Sequence, residues 1–163
     1  MQASLIIPTY NSIKTIERCV VSLKNQKLDQ IEVIFIDDGS TDGTLEFLEK
    51  LDLSCIVLKN ETNRGLAFSL NKAIKFSQSQ LIMRLDSDDE MLPGRIGHQL
   101  NKMKMLDVDV VAGGVDLIGR IISIEMDHKS VKKVLNYRNP LFHPTVLFKK
   151  KLWEKLEGFD ESY

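Results

Sequence analysis

The 163-residue sequence lacks the features that mark secreted, membrane-spanning or disulfide-stabilised proteins. Its two cysteines, Cys19 and Cys55, lie in apolar patterns without the spacing of a metal knuckle or a disulfide framework, so we expect both to be reduced. The sequence has no run of about 20 apolar residues, which a membrane helix needs. Its N-terminus has neither the basic segment nor the apolar region of a signal peptide. These absences favour a cytoplasmic location, with peripheral contact at the inner face of the membrane as an open alternative.

The sequence also lacks an excess of charge of either sign. It has 22 Lys and Arg residues against 23 Asp and Glu residues, for a formal net charge of −1. The overall charge therefore favours neither nucleic acid nor an anionic membrane, and an anionic ligand must be held by local contacts. A hydrophobic content of 43% and a charged content of 28% are typical of a globular protein. The length fits one domain, so we predict that residues 1–163 form a single unit.

In the first half, four apolar segments alternate with three amphipathic ones. Strands are predicted at residues 4–8, 31–36, 54–58 and 81–85. Helices are predicted from apolar side chains at helical spacing, namely Ile13, Ile16, Val20 and Leu23, then Leu45, Leu48 and Leu51, then Leu66, Leu70, Ala73 and Ile74. We expect Ser40, Thr41 or Asp42 to cap the second helix. This alternation predicts a three-layer α/β/α fold with a mostly parallel central sheet.

The second half has a weaker pattern. It predicts a helix at residues 95–106, a strand at 108–111, a strand at 145–148 and a helix at 151–156 that Gly158 ends. Between them, residues 118–138 suggest a strand carrying Ile121, Ile122 and Ile124 and a short helix carrying Val131, Val134 and Leu135.

Polar clusters follow the predicted strands at residues 9–11, 37–42, 63–65 and 86–89. In parallel sheets the ligand lies beyond the carboxyl ends of the strands, where loops and helix N-termini converge. One polar loop is ordinary, but four at corresponding strand ends predict a continuous rim around a binding site.

The cluster Asp86-Ser87-Asp88, with Asp89 and Glu90 beside it, is a candidate cation site. Carboxylates this close repel one another, and hard divalent ions such as Mg²⁺ or Mn²⁺ prefer oxygen ligands that they often share with phosphates. The alternative is an acidic loop that interacts favourably with the N-terminus of the helix after Pro93. The cluster taken alone favours this second interpretation.

Three further positions have open interpretations. Asp37 and Asp38 end the second strand and are suited to accept hydrogen bonds from a ligand, whereas the residues after them are suited to cap a helix. Arg64 is suited to face a base or a diphosphate, or is an ordinary exposed loop arginine. His143 is an acid, a base or a ligand, or packs at the start of a strand.

Taken in order, five segments resemble glycosyltransferase family 2. They are SLIIPTYN (4–11), VIFIDDGSTDGT (33–44), NRGLAFSLNKAI (63–74), LIMRLDSDDEMLPGRI (81–96) and HPTVLFKKKLWEKLEGFDESY (143–163). The resemblance spans nearly the whole chain. It implies a GT-A fold, which is Rossmann-like, and an inverting transfer of a sugar from a nucleoside-diphosphate sugar to a hydroxyl group.

The resemblance also implies roles for individual residues. Asp38 is expected to contact the base, which is typically uracil, with Pro8, Thr9 and Tyr10 beside it. Arg64 is expected in a loop that approaches the base, and Asp37 is expected among the residues that bind the nucleotide-sugar. Asp86 is expected near the ribose, and Ser87 is expected among the residues that bind the nucleotide-sugar. Asp88 is expected to ligate Mn²⁺ or Mg²⁺ at the diphosphate, with Asp89 assisting. The implied partners are a UDP-sugar and a saccharide or lipid-linked saccharide acceptor, with cell-surface polysaccharide synthesis as the common setting.

The resemblance further implies that the general base is an aspartate several residues after a segment like Gly158-Phe159-Asp160-Glu161. This sequence ends at Tyr163, so we expect the base to lie beyond it, and we assign neither Asp160 nor Glu161 to that role. The 163-residue chain is then expected to bind donor but to hydrolyse it weakly at most. Apolar surface left exposed by a missing segment is also compatible with a homo-oligomer.

Three other classes of protein fit the sequence less well. A non-catalytic metal-dependent nucleotide-binding domain remains an alternative. Receiver and dehalogenase-type phosphotransfer proteins place their aspartates after the first strand, where Pro8, Thr9 and Tyr10 stand here. A dinucleotide-binding protein would carry Gly-x-Gly-x-x-Gly after that strand, and this sequence has neither that motif nor a Walker lysine motif.

Overall fold

The β-branched and aromatic segments near the N-terminus form the buried centre of the fold. The structure, a computed structural model, describes residues 2–122 and 126–162. Its strands are β1 (Ala3–Thr9), β2 (Ile31–Asp37), β3 (Ile56–Lys59), β4 (Leu81–Arg84), β5 (Val110–Val111), β6 (Val115–Leu117), β7 (Arg120–Ile122) and β8 (Leu147–Lys149). Its helices are α1 (Ile16–Lys24), α2 (Thr44–Glu49), α3 (Leu66–Phe76), α4 (Arg95–Leu106), α5 (His128–Val134) and α6 (Lys150–Lys155), with a 3₁₀ turn at His143–Thr145.

Six strands form the main sheet, in the order β3-β2-β1-β4-β8-β5. Strands β1 to β4 are parallel, and β8 runs antiparallel to both β4 and β5. The strands β6 and β7 pair separately as an antiparallel hairpin. The carboxyl ends of β1, β2 and β4 therefore lie at one edge of the sheet, in the arrangement that the sequence predicts.

Helices cover both faces of this sheet, because alternate side chains of each buried strand point to opposite faces. Leu5 and Ile7 of β1 pack with residues of α1, α2 and α4 on one face. Ile6, between them, packs with α3 and with Trp153 of α6 on the other. The three-layer α/β/α prediction is confirmed.

The structure corrects several element boundaries. The strand predicted from Thr145 begins at Leu147, because residues His143–Thr145 form the 3₁₀ turn and the Thr145 hydroxyl bonds the backbone of Gly113. Asp42 accepts a hydrogen bond from the N–H of Thr44 at the start of α2, whereas Ser40 and Thr41 bind Asp37 and Asn11. Ile124 lies outside the described residues.

The two cysteines are both free, as predicted. Cys19 is fully buried in α1 and Cys55 is half-buried. Burial, reinforced by the nearby acidic loop, raises the pKa of the Cys19 thiol to about 12, so this side chain behaves as an inert core residue. Across residues 2–122 and 126–162, every helix is too short or too polar to cross a bilayer.

Candidate functional site

A pocket of about 510 Å³ opens at the carboxyl ends of β1, β2 and β4. It is bounded by the loop after each of these strands and by the start of α3. Its lining consists of Pro8, Thr9, Tyr10, Asn11, Ser12, Thr15, Asp38, Asn63, Gly65, Leu66, Ser69, Arg84, Asp86, Ser87 and Asp88. The structure thus brings the four polar clusters of the sequence together, and seven of the nine predicted site residues line the pocket.

Asp38 forms one wall of this pocket and is almost fully buried. Its Oδ1 atom accepts hydrogen bonds from Asn60 Nδ2 at 2.7 Å and from the N–H of Arg64 at 2.9 Å. Its Oδ2 atom accepts one from the N–H of Gly65 at 2.8 Å. A carboxylate oxygen can accept two such bonds, so Oδ2 retains the capacity to bind a ligand N–H or O–H group.

Asp37 lies next to Asp38 in sequence but not at the pocket. Its side chain is fully buried and accepts hydrogen bonds from Thr9 Oγ1 at 3.2 Å and from the N–H of Ser40 at 2.9 Å. The Ser40 hydroxyl donates a further bond to Asp37 Oδ1. These contacts join β1, β2 and the following loop, so the structure gives Asp37 a supporting position rather than the ligand contact that we expected.

The Arg64 side chain also lies outside the pocket lining. Its guanidinium carbon is 4.2 Å from the centre of the Phe68 ring, an exposed cation–π contact on the surface of α3. The backbone N–H of Arg64, however, bonds Asp38. The contribution of Arg64 to the pocket in this structure therefore comes from its main chain.

The acidic loop after β4 forms the opposite wall. Arg84 Nη2 lies 2.8 Å from Asp86 Oδ1, and both side chains are largely buried. The two groups form a close ion pair, and within the described residues Arg84 Nε is buried without a hydrogen-bond partner. Ser87 Oγ lies 2.8 Å from Ser12 Oγ, which ties this loop to the loop after β1.

The carboxylates of this loop have the composition of a divalent cation site. One oxygen each of Asp86, Asp88 and Asp89 lies within 4.8 Å of the other two. Burial raises the pKa of Asp86, and the charge of Arg84 only partly offsets that effect. A donor set made only of carboxylate oxygens fits Mn²⁺ or Mg²⁺.

A second buried arginine supports the loop from behind. Arg95 Nη2 donates to the carbonyl oxygens of Arg84 at 2.7 Å and of Pro144 at 2.9 Å, and Arg95 Nε donates to Gln99. Burial lowers the pKa of Arg95 to about 10, although the nearby carboxylates of Asp89 and Asp86 oppose this effect. Arg95 therefore stays charged at neutral pH and places a fixed positive charge near the acidic loop.

The segment before the C-terminus is held against α3 by one side chain. Asn71 Nδ2 donates to Phe159 O and to a Glu161 carboxylate oxygen, both at 2.8 Å. Asn71 Oδ1 accepts from Trp153 Nε1 at 2.9 Å and from the N–H of Phe159 at 2.8 Å. His143 contacts the Phe159 ring edge-on, with the ring centres 5.5 Å apart, which agrees with a packing role.

Sequence reasoning missed several lining residues. Ser12, Thr15 and Ser69 are common polar residues whose positions depend on how the loops and α3 fold over the sheet. Arg84 had a detectable signal, since a charged residue inside an otherwise apolar strand, two positions before Asp86, indicates a buried ion pair.

The mostly parallel sheet, with an oxygen-rich pocket and an acidic loop at its carboxyl edge, is the GT-A fold of glycosyltransferases. The family model described as glycosyl transferase family 2 matches residues 4–157, and the chain belongs to that family. The resemblance stated from the sequence is thereby confirmed.

Known relatives extend well beyond the matched region. The chain is 30% identical over 165 residues to chondroitin synthase of Escherichia coli, covering 98% of this chain and 24% of the relative. It is 37% identical over 102 residues to the E. coli UDP-Glc:alpha-D-GlcNAc-diphosphoundecaprenol beta-1,3-glucosyltransferase WfaP, covering 62% of this chain and 41% of the relative. The chain thus spans less than half the length of either relative.

A solved structure shows the same fold. S. aureus TarS 1-349 in complex with UDP-GlcNAc superposes with a TM-score of 0.82 at 27% sequence identity, covering 98% of this chain and 49% of that one. The chain therefore corresponds to about half of that structure.

Proposed function

We propose that this chain forms the donor-binding part of an inverting, metal-dependent glycosyltransferase that uses a UDP-sugar. The observation that supports this most is the acidic loop, where one oxygen each of Asp86, Asp88 and Asp89 lies within 4.8 Å of the other two, at a pocket that Asp38 also lines. UDP is favoured because the names of WfaP and of the TarS complex include UDP-Glc and UDP-GlcNAc. The proposed acceptor is a hydroxyl group of a saccharide or lipid-linked saccharide, in cell-surface polysaccharide synthesis.

Different residues of the pocket would contact different parts of the donor. Asp88, with Asp86 and Asp89, would hold Mn²⁺ or Mg²⁺, and the ion would supply positive charge next to the diphosphate. Asp38 Oδ2 would accept a hydrogen bond from the base, and the half-exposed Tyr10 ring would lie beside it. Ser87 is fixed by Ser12 near the proposed ribose position.

The proposed reaction is a direct displacement at the anomeric carbon. The acceptor oxygen forms a bond to that carbon from one face while the bond to the diphosphate oxygen breaks on the other, so the configuration inverts. The hydroxyl proton passes to a general base within hydrogen-bonding reach. We do not assign that base to Asp160 or Glu161, whose carboxylates already bind the N–H of Ser162 and the side chain of Asn71.

Calorimetric titration with UDP tests this proposal. We expect UDP to bind in the presence of Mn²⁺, and binding to weaken about 100-fold in EDTA or in Asp88→Asn, because loss of a direct ligand removes at least as much affinity as loss of an outer-shell partner. Asp52→Asn removes an exposed carboxylate outside the pocket and is the matched control. GDP and CDP, used as competitors, determine whether uracil is preferred.

Two results would contradict the proposal. UDP binding that is unchanged by EDTA and by Asp88→Asn would show that nucleotide binding does not use a metal ion. Absence of binding by every nucleotide, with Mn²⁺ present and the fold intact, would mean that this chain by itself does not form a donor site.

The metal-free protein should be more stable without the Asp89 carboxylate. Burial, followed by repulsion from Asp88 and Asp86, raises the pKa of Asp89. A raised pKa in the folded state means that this carboxyl group favours folding at low pH, and that its contribution is lost as the pH rises through the folded-state pKa. We therefore expect Asp89→Asn to raise the Tm in EDTA at neutral pH, and this gain to shrink on acidification.

Thermal unfolding with and without Mn²⁺ checks this prediction. Wild-type protein should gain Tm on addition of Mn²⁺, and Asp89→Asn should gain less, because an ion that binds more tightly stabilises the folded state more. A lower Tm for Asp89→Asn in EDTA would show that the carboxylate stabilises the metal-free fold and would contradict the prediction.

A further inference from the structure

The β6–β7 hairpin exposes an apolar tip. Ile118 and Gly119 form its two-residue turn, both with positive φ, and the Ile118 side chain is fully exposed. Leu117 and Ile121 beside it are also exposed, Ile121 at 76%. Turns of this type favour Asn, Asp or Gly, since a β-branched residue at positive φ is strained. An isoleucine here is unfavourable for the isolated fold, which points to an external contact.

A basic segment follows the hairpin at residues 128–138. It contains Lys129, Lys132, Lys133 and Arg138 and no acidic residue. Its helix, α5, has no buried residue, and a helix this short gains little stability without packing. Leu135 and Tyr137, just after α5, are also exposed, Tyr137 at 87%. The segment thus combines positive charge with apolar side chains that this chain does not cover.

One face of this segment groups five side chains at helical spacing, namely Ser130, Lys133, Val134, Tyr137 and Arg138. Two cations beside a serine and a tyrosine hydroxyl are suited to hold a phosphate group. Asp127, the residue just before the segment, caps α5 by accepting a hydrogen bond from the N–H of Ser130.

The hairpin tip and the basic segment can reach one flat surface together. Five residues lie between Ile122 at the end of β7 and His128 at the start of α5, so the six steps along the chain limit the distance between them to about 20 Å. Exposed apolar side chains next to a group of four to eight cations are the pattern of a protein that lies at a charged bilayer surface.

We propose that the hairpin tip at residues 117–121 and the basic segment at 128–138 bind the surface of an anionic lipid bilayer. The apolar tip enters the acyl boundary while the lysines and Arg138 pair with headgroup phosphates. A second copy of this chain fits less well, because a symmetric contact would bring like charges together. This inference goes beyond the proposed donor chemistry and rests on a different surface, so each can fail without the other.

Vesicle co-sedimentation of the full chain tests the proposal. We expect binding to phosphatidylcholine vesicles that contain phosphatidylglycerol and little binding to phosphatidylcholine alone. Replacing Lys129, Lys132 and Lys133 together by Gln should weaken binding at least tenfold, on the order expected for three surface cations. Replacing the exposed Lys27, Lys50 and Lys104 by Gln makes the same change in net charge elsewhere and should leave binding nearly unchanged.

The Ile118→Asn variant separates membrane binding from folding. Asparagine suits positive φ, so this variant should be at least as stable as wild type by thermal unfolding. Its vesicle binding should nevertheless fall several-fold, because the apolar tip is lost. A purely structural role for Ile118 predicts no loss of vesicle binding.

Several outcomes would overturn the proposal. These are no binding of wild-type protein to anionic vesicles, equal losses in the two triple-lysine variants, or full vesicle binding by both the Lys129, Lys132 and Lys133 variant and Ile118→Asn. Self-association that Ile118→Asn abolishes, in a chain that does not bind vesicles, would instead identify the surface as an interface between copies.

Discussion

Gly39→Ala is expected to lower the free energy of unfolding by about 3 kcal/mol, the combined effect of a left-handed backbone and an overpacked site. Gly39 has a φ of +74°, which side chains rarely adopt. A Cβ atom at this position would lie 2.7 Å from the carbonyl carbon of Thr62 and 2.9 Å from the backbone nitrogen of Asn63. These are main-chain atoms, so the contact cannot be relieved by rotating a side chain.

Urea denaturation measures this loss, and Gly43→Ala is the matched control. Gly43 also has a positive φ, of +96°, but a Cβ atom there would meet nothing within 4 Å. Its substitution should cost only the backbone term, about 1–2 kcal/mol. Equal losses in the two variants would show that the contact between the loop after β2 and the loop after β3 is not tight.

The close contact between Gly39 and residues 62–63 also affects the shape of the pocket. Gly39 follows Asp38, and the loop that it touches leads into Asn63, which lines the pocket. A side chain at residue 39 would therefore push apart the two loops that form one wall. We expect Gly39→Ala to weaken UDP binding as well as stability.

Asp38→Ala is expected to cost about 2 kcal/mol of stability, because it removes a buried acceptor of three hydrogen bonds, although Asn60 Nδ2 and the Gly65 N–H keep second partners in Ser69 and Asn63. The donors are Asn60 Nδ2 and the backbone N–H groups of Arg64 and Gly65. The same change should weaken UDP binding by tenfold or more, since the loop at 63–65 loses its anchor and the base loses its acceptor.

Asp42→Ala is the control for Asp38. The Asp42 carboxylate also accepts three hydrogen bonds, from the N–H of Ile13 and from the N–H and hydroxyl of Thr44. It is exposed and lies outside the pocket lining, so water can replace it and the expected loss is at most about 1 kcal/mol. Urea denaturation and calorimetry on the two variants would contradict our assignment if UDP binding fell equally in both.

The sequence predicts the first half of the fold well because its apolar spacing is unambiguous. Residues 31–36, for example, are β-branched or aromatic at every position except Glu32, and a buried parallel strand requires such a run. The second half is harder, because β5 has two residues and β8 has three, too few for a period to show. The turn at His143–Thr145 depends on the bond between Thr145 and Gly113, which sequence spacing does not reveal.

The candidate site likewise contains residues that the sequence could place and residues that it could not. Asp38 and the acidic loop could be placed because parallel strands align their carboxyl ends. Asp37 could not be distinguished from Asp38 by residue type, although alternation along a strand places neighbouring side chains on opposite sides. The position of Arg64 depends on the Phe68 ring one turn along α3, a contact between two residues that each look ordinary in sequence.

The position of β8 has a consequence for the order of assembly. This strand comes late in the chain yet lies between β4 and β5, and it is the strand that β5 pairs with in the main sheet. During synthesis, β1 to β4 can pair before residues 147–149 have emerged from the ribosome. One edge of β4 is then unpaired. Pairing over so long a separation in sequence is slow, and an open edge is a template for association with other chains. The nascent chain is therefore most vulnerable to aggregation after β4 has formed and before β8 has been inserted.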